Sequence, residues 1–262
     1  MKFKGHYDLM GVGEPVLCLS GFASGNWIFS RLIEPMSDRF QFILPDNRGM
    51  GRSPKVDQGY TLDDLADDAL ALMDDLKIER FAVIGLSMGG FIAQLLALKA
   101  PERVRAMVLM CTTSGGPVYR QTFPSLTEQQ VRAIYALEPL ARVTAALSET
   151  LCPLLKTRYP EVYQEVVDQR VADPTDPEQV MHQFFAVEAF MKDPLPLDRI
   201  VCPVLILTAD QDRLVPLANA LRLAQDLPHA RVVTVTEADH LFFLEKIPET
   251  SATITHFLNN ND

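Results

Sequence analysis

The sequence predicts an α/β fold: a mainly parallel, twisted sheet with helices on both faces, interrupted by a helical insertion. Three observations carry this expectation. Apolar runs rich in Val, Ile and Leu recur along the 262 residues. Most are continuous rather than alternating, as strands covered on both faces are. Patterns at helical spacing separate several of them, and over one long stretch the strands cease.

Taken in order, the strand-like runs are "PVLCLS" around Val16, "FQFILPD" ending at Asp46, "FAVIGL" from Phe81, "VRAMVLMCTT" from Val104, "PVLILTAD" from Pro203 and "ARVVTVTEAD" from Ala230. Between the second and third, Thr61 reads as an N-cap, followed by Asp63 and Asp64 in a first helical turn. Leu65, Ala69, Leu72 and Leu76 follow at helical spacing. Asp67, Asp68, Asp74 and Asp75 are spread around that helix, which makes them a solvated surface rather than a metal cluster.

From about Gly115 to Leu197 the alternation stops. Nine prolines and short amphipathic pieces such as "EQQVRAIYALEPLARVTAAL" and "EQVMHQFFAVEAFM" replace it. The expected organisation is a core domain made of residues 1–114 and 198–262, with a helical cap or lid from 115–197 inserted between two strands.

Composition narrows the function. A formal net charge of −10 and the lack of any basic run exclude a phosphate backbone as the expected partner. Cys18, Cys111, Cys152 and Cys202 are scattered, with no CxxC and no histidine at metal-ligand spacing, so no metal is expected and reduced thiols are. No segment has the length of a membrane span or a signal-peptide core, so the expectation is a cytoplasmic protein without membrane partners.

The chemistry gathers at "FAVIGLSMGGFIAQLLALKA". Gly85-Leu86-Ser87-Met88-Gly89 matches G-x-S-x-G, where a strand-to-helix turn is so tight that its neighbours must lack side chains and the serine hydroxyl is thrust out above the sheet. A serine hydroxyl is a poor nucleophile at neutral pH and needs a base, which in turn needs an orienting acid. His240, in "TVTEADHLFFLEKIP", lies just beyond the last strand, at the edge where the loops of a parallel sheet gather. His6, His182, His229 and His256 read as surface or packing histidines. Asp210 and Asp212 both follow the preceding strand, and either supplies the order serine, acid, histidine. Neither Gly11-Val12-Gly13 nor Gly49-Met50-Gly51 completes a dinucleotide-binding G-x-G-x-x-G.

Over nearly its whole length the chain resembles the α/β-hydrolase-fold superfamily, in particular capped serine hydrolases similar to 3-oxoadipate enol-lactonase-like esterases. The resemblance rests on the elbow together with "LSGFASGNW", "PDNRGMGRSP", "APERVRAMVLM", "TADQDRLVP" and "EADHLFFLEKIPE". It implies a Ser87, His240 and Asp212 triad, with Asp210 as second choice, and an oxyanion hole from the Phe22 and Met88 N–H groups. It places Ser20 where many relatives have histidine, and makes Arg48, Gly49 and Gly51 structural. The implied activity is hydrolysis of a small-molecule carboxylic ester or lactone without cofactor. Carbon-carbon bond hydrolysis of dienoate ring-cleavage products and a non-catalytic ligand-binding role are the alternatives. Trp27, Phe184 and Leu241, with Phe123, Tyr135, Phe185 and Phe190, are the candidates to line an apolar substrate pocket.

Overall fold

The computed structural model describes residues 2–120, 126–150, 155–173 and 175–261. Seven strands form one sheet: β1 (Tyr7–Met10), β2 (Glu14–Leu19), β3 (Phe40–Pro45), β4 (Phe81–Leu86), β5 (Val104–Met110), β6 (Val204–Ala209) and β7 (Ala230–Val235). Their order is β1-β3-β2-β4-β5-β6-β7. Every pairing is parallel except β1 with β3. All six strands expected from the apolar runs are present. β1 was not among them, because three of its four residues are exposed and only its antiparallel pairing to β3 makes it a strand.

The helices of the first half are α1 (Ser30–Ile33), α2 (Leu62–Asp75) and α3 (Met88–Lys99). Thr61 caps α2 as expected, accepting the Asp64 N–H while the Asp64 carboxylate accepts the Thr61 N–H. The acids on α2 form a paired surface: Asp67 meets Lys99, Asp74 meets Arg103, and Asp68 takes both sides of the Arg48 guanidinium. Between β5 and β6 lie α4 (Pro117–Arg120), α5 (Glu128–Tyr135), α6 (Pro139–Thr150), α7 (Leu155–Arg158), α8 (Pro160–Ala172) and α9 (Pro177–Phe190), with no strand among the described residues. Phe123 and Cys152 lie outside the described residues. The chain closes with α10 (Leu217–Asp226) before β7 and α11 (Ile247–Asn259) after it.

Side chains alternate across the sheet into two apolar layers. Val16 and Cys18 point into the layer shared with α1 and α11, while Leu17 and Leu19 point into the layer shared with α2, α3 and α10. Covering both faces is what made the strand sequences continuous rather than alternating. It also leaves the C-terminal edge of the parallel strands as the place where loops converge.

Candidate active site

Five loops meet at that edge, those after β2, β4, β5, β6 and β7. Ser87 stands between β4 and α3 with φ 52° and ψ −116°, in the left-handed region that a non-glycine residue adopts only under constraint. The constraint is visible. Ser87 N–H donates to Met110 O at 2.8 Å, while Ser87 O accepts from Gly90 N–H at 2.8 Å and from Thr112 Oγ1 at 2.6 Å. The glycines are required by close approach: a Cβ on Gly85 would stand 2.5 Å from Gly89 O, and one on Gly89 only 1.9 Å from Leu19 O.

His240, in the loop after β7, is buried, and its Nδ1 lies 2.9 Å from Asp212 Oδ2. The other carboxylate oxygen of Asp212 accepts the Leu214 and Val215 N–H groups at 2.9 and 2.7 Å. Three donors therefore hold Asp212 in one orientation. Asp210 is exposed and accepts the Ala238 N–H at 3.3 Å. Asp239 steadies the loop from the other side, accepting His240 N–H at 2.8 Å and Arg213 Nε at 2.8 Å. With Nδ1 engaged, Nε2 is the ring nitrogen left to exchange a proton with a hydroxyl.

Ser87 and His240 line one cavity of about 540 Å³, together with Phe22, Leu241, Tyr135 and Arg170. A smaller adjoining cavity of about 120 Å³ is lined by Ser87, Met88, Phe91 and Phe184. Leu241 lines the first of these cavities and Phe184 the second. Trp27 stands one layer back: its indole lines a third, minor cavity with Tyr135 and Arg170, and its Nε1–H donates to Asp173 at 2.8 Å. Phe185 is exposed, and Phe190 stacks on Phe91 at 4.7 Å. His6, His182, His229 and His256 line neither cavity that contains Ser87. A separate cavity of about 480 Å³, under Asp46–Ser53, includes neither Ser87 nor His240.

Met88 opens α3, so its N–H has no acceptor within the helix. Phe22 lies on the loop after β2, followed by Ala23 with φ 51°. That loop is held from α8 and α9. Gln183 Oε1 accepts the Ala23 N–H at 2.8 Å, and Asp173 Oδ2 accepts the Gly25 N–H at 3.0 Å. Ser20 Oγ is buried without a hydrogen-bond partner among the described residues. Gln183 and Asp173 were not singled out in the sequence. The one available signal is a glutamine at i+4 from Gln179 within the apolar face of "EQVMHQFFAVEAF".

Cys111, Asp212 and His240 are the one group of three among the described residues whose ligand atoms lie close enough to share a metal ion. Burial pushes the Cys111 thiol well above its ordinary range, and its S–H donates to His240 O at 3.0 Å. A thiol held protonated is a poor ligand.

The family model described as alpha/beta hydrolase fold matches residues 14–247. The chain is 31% identical over 265 residues to a 2-(acetamidomethylene)succinate hydrolase of Mesorhizobium japonicum, covering 95% of this chain and 89% of that one. It is 28% identical over 269 residues to a 2-hydroxy-6-oxononadienedioate/2-hydroxy-6-oxononatrienedioate hydrolase of Cupriavidus pinatubonensis, covering 99% and 92%. Among solved structures, the enol-lactonase from Burkholderia xenovorans LB400 superposes with a TM-score of 0.82 at 25% identity, covering 97% of this chain and 96% of that one.

Proposed function

The chain belongs to the alpha/beta hydrolase fold family, and on that premise we propose that it is a serine hydrolase that cleaves a small carboxylic ester or lactone through an acyl-enzyme. The observation that carries this reading is the 2.9 Å pairing of buried Asp212 with His240, which lines a cavity that also exposes Ser87 on its strained turn. In the proposed cycle His240 Nε2 takes the Ser87 proton as Oγ attacks the scissile carbonyl carbon. The Phe22 and Met88 N–H groups receive the oxyanion, and Asp212 steadies the imidazolium. The imidazolium then returns its proton to the leaving alkoxide. A water molecule, deprotonated by the same imidazole, releases the acid and restores Ser87.

Residues 115–197 serve in this reading as a cap over the serine. Val131 and Tyr135 of α5 and Phe184 of α9 support it, since they line the cavities that reach Ser87. The Cupriavidus relative, named as a 2-hydroxy-6-oxononadienedioate/2-hydroxy-6-oxononatrienedioate hydrolase, supports a second reading in which the same residues act on a carbon-carbon bond of a dienoate ring-cleavage product.

Steady-state assays on p-nitrophenyl esters of graded length, simple lactones and a dienoate ring-cleavage product separate the two readings. Ser87→Ala is expected to abolish turnover and labelling by a fluorophosphonate probe. Undiminished ester hydrolysis by Ser87→Ala, or a parent protein that the probe does not label, would sink the reading.

A further inference from the structure

Three consecutive residues, at and just beyond the C-terminal end of β5, touch both Ser87 and His240. Met110 O accepts the Ser87 N–H at 2.8 Å, and Thr112 Oγ1 donates to Ser87 O at 2.6 Å. Between them, the Cys111 S–H donates to His240 O at 3.0 Å. The Cys111 sulfur also lies within 4.8 Å of a carboxylate oxygen of Asp212 and a ring nitrogen of His240. The proposed cycle assigns no step to either side chain.

The backbone accounts for adjacent residues serving different loops. Cys111 has φ 46°, a left-handed conformation that is costly for a non-glycine residue and persists only where surrounding bonds over-determine it. Those bonds are present on both sides of the strand. Cys111 N–H donates to Leu207 O at 2.9 Å on the β6 side, while Met110 O is held from the β4 side. The turn brings one side chain to the loop after β7 and the next to the loop after β4.

Both contacts are shut away from water, with Cys111 and Thr112 at 1% and 2% exposure. Burial holds the thiol protonated, so it remains a neutral donor. Gly90 makes room for the threonine, since a Cβ there would stand 2.4 Å from Thr112 Oγ1. Catalysis is sensitive to such supports, because a displacement of about 1 Å between reacting groups can cost about 100-fold in rate.

We propose that Cys111 and Thr112 are positioning residues that together set the separation of Ser87 from His240, the thiol through the backbone of His240 and the hydroxyl through the backbone of Ser87. The proposal rests on the reading of Ser87 as nucleophile and His240 as base. Thr113 supplies the contrast. It is as buried as its neighbours, but its hydroxyl donates to Asn219 Oδ1 on α10, at 2.9 Å.

The test measures kcat, KM and thermal melts on the preferred p-nitrophenyl ester. Loss of one positioning hydrogen bond predicts that Thr112→Val and Cys111→Ala each lower kcat by about 3- to 10-fold with KM nearly constant. Thr112→Ser and Cys111→Ser keep a donor and should recover part of the loss. Thr113→Val should keep the parent's kcat, whatever it costs in melting temperature. An unchanged kcat in Thr112→Val or Cys111→Ala, a loss confined to KM, or an equal loss of kcat in Thr113→Val overturns the proposal. Proton NMR of the His240 imidazole reads the thiol's part without turnover. The Nδ1–H resonance shared with Asp212 should shift, or exchange faster with water, in Cys111→Ala and stay in place in Thr113→Val. A resonance that Cys111→Ala leaves unmoved counts against the thiol's role. A parent that turns over no ester and takes no fluorophosphonate label sinks the hydrolase reading, and the imidazole resonance then decides the positioning. An active, labelled parent whose variants all keep its kcat sinks the positioning alone.

Discussion

Nδ1 of His240 stands 2.9 Å from Oδ2 of Asp212, and both side chains are buried, at 4% and 5% exposure. Two residues earlier on the same loop, Asp210 is exposed and turned to the Ala238 N–H. An orienting acid fixes the tautomer that leaves Nε2 free to accept a proton, and an amide in its place offers the wrong partner. Asp212→Asn is therefore expected to lower kcat on the preferred ester by about 10,000-fold with little change in KM. Asp210→Asn should cost far less. Steady-state kinetics on both variants decides between them, and equal losses would count against the assignment.

Gln183 acts at a distance from the serine. Its Oε1 holds the Ala23 N–H at 2.8 Å, beside the Phe22 N–H proposed to receive the oxyanion. Removing a hydrogen bond of this kind costs about 1 kcal/mol, or roughly a 5-fold change in rate. Gln183→Ala should accordingly lower kcat by about 3- to 10-fold while KM stays nearly constant. Gln183→Glu keeps an acceptor and should recover part of the loss. A change confined to KM would assign Gln183 to substrate contact instead.

The elbow sets a sharp contrast between two glycines. A Cβ at Gly89 would meet Leu19 O at 1.9 Å, backbone against backbone, whereas one at Gly21 finds its nearest neighbours at an ordinary 3.4 Å. Gly89→Ala must push α3 away from β2, in the range of about 3 kcal/mol or more that severe overpacking reaches, lowering Tm by roughly 6–12 °C. Gly21→Ala should shift stability by less than about 1 kcal/mol. Thermal melts of the two proteins test this directly, and a Gly89→Ala melt matching the parent would refute the packing argument.

Acid should loosen the start of α9. Asp176 caps this helix by accepting the Glu178 and Gln179 N–H groups, and its hydrogen bond to Lys55 holds the carboxyl below its ordinary range. A folded-state pKa below the unfolded value contributes stability that is complete above the ordinary carboxylate range near 3.8 and is lost as pH falls through the folded value. Asp176→Ala should cost about 1 kcal/mol at pH 7, a Tm decrease of roughly 2–4 °C. The gap between variant and parent should close toward pH 2 to 3 as the parent's carboxyl protonates. Melts across that pH series would show it. A gap that widens in acid reverses the sign and defeats the argument.

The elements visible in the chain were those whose cause is local. "FAVIGL" had to be a covered strand because its apolar run is continuous, and the glycines around Ser87 had to make a cramped turn because only they lack a Cβ there. Thr61 and Asp64 announced a helix start by chemistry three residues apart. The choice between Asp210 and Asp212 was of another kind. Both sit on one short loop; the family resemblance put Asp212 first, and His240, 28 residues beyond it, hydrogen-bonds Asp212.

The edge strand Tyr7–Met10 exists through its ladder to β3, since its own exposed residues specify no face. The loop carrying Phe22 is held by Gln183 and Asp173, which lie 160 and 148 residues from their partners Ala23 and Gly25. Arg170, in a helix with charged and polar residues on several sides, lines the cavity only because folding turns it there. The sequence by itself determined six of the seven strands, the strained turn and the residue types able to do the chemistry, because periodicity and steric demand act between near neighbours. Which acid, which loop supports and which cation meet in the cavity was decided by tertiary structure alone, because burial and pairing are properties of distant segments brought together.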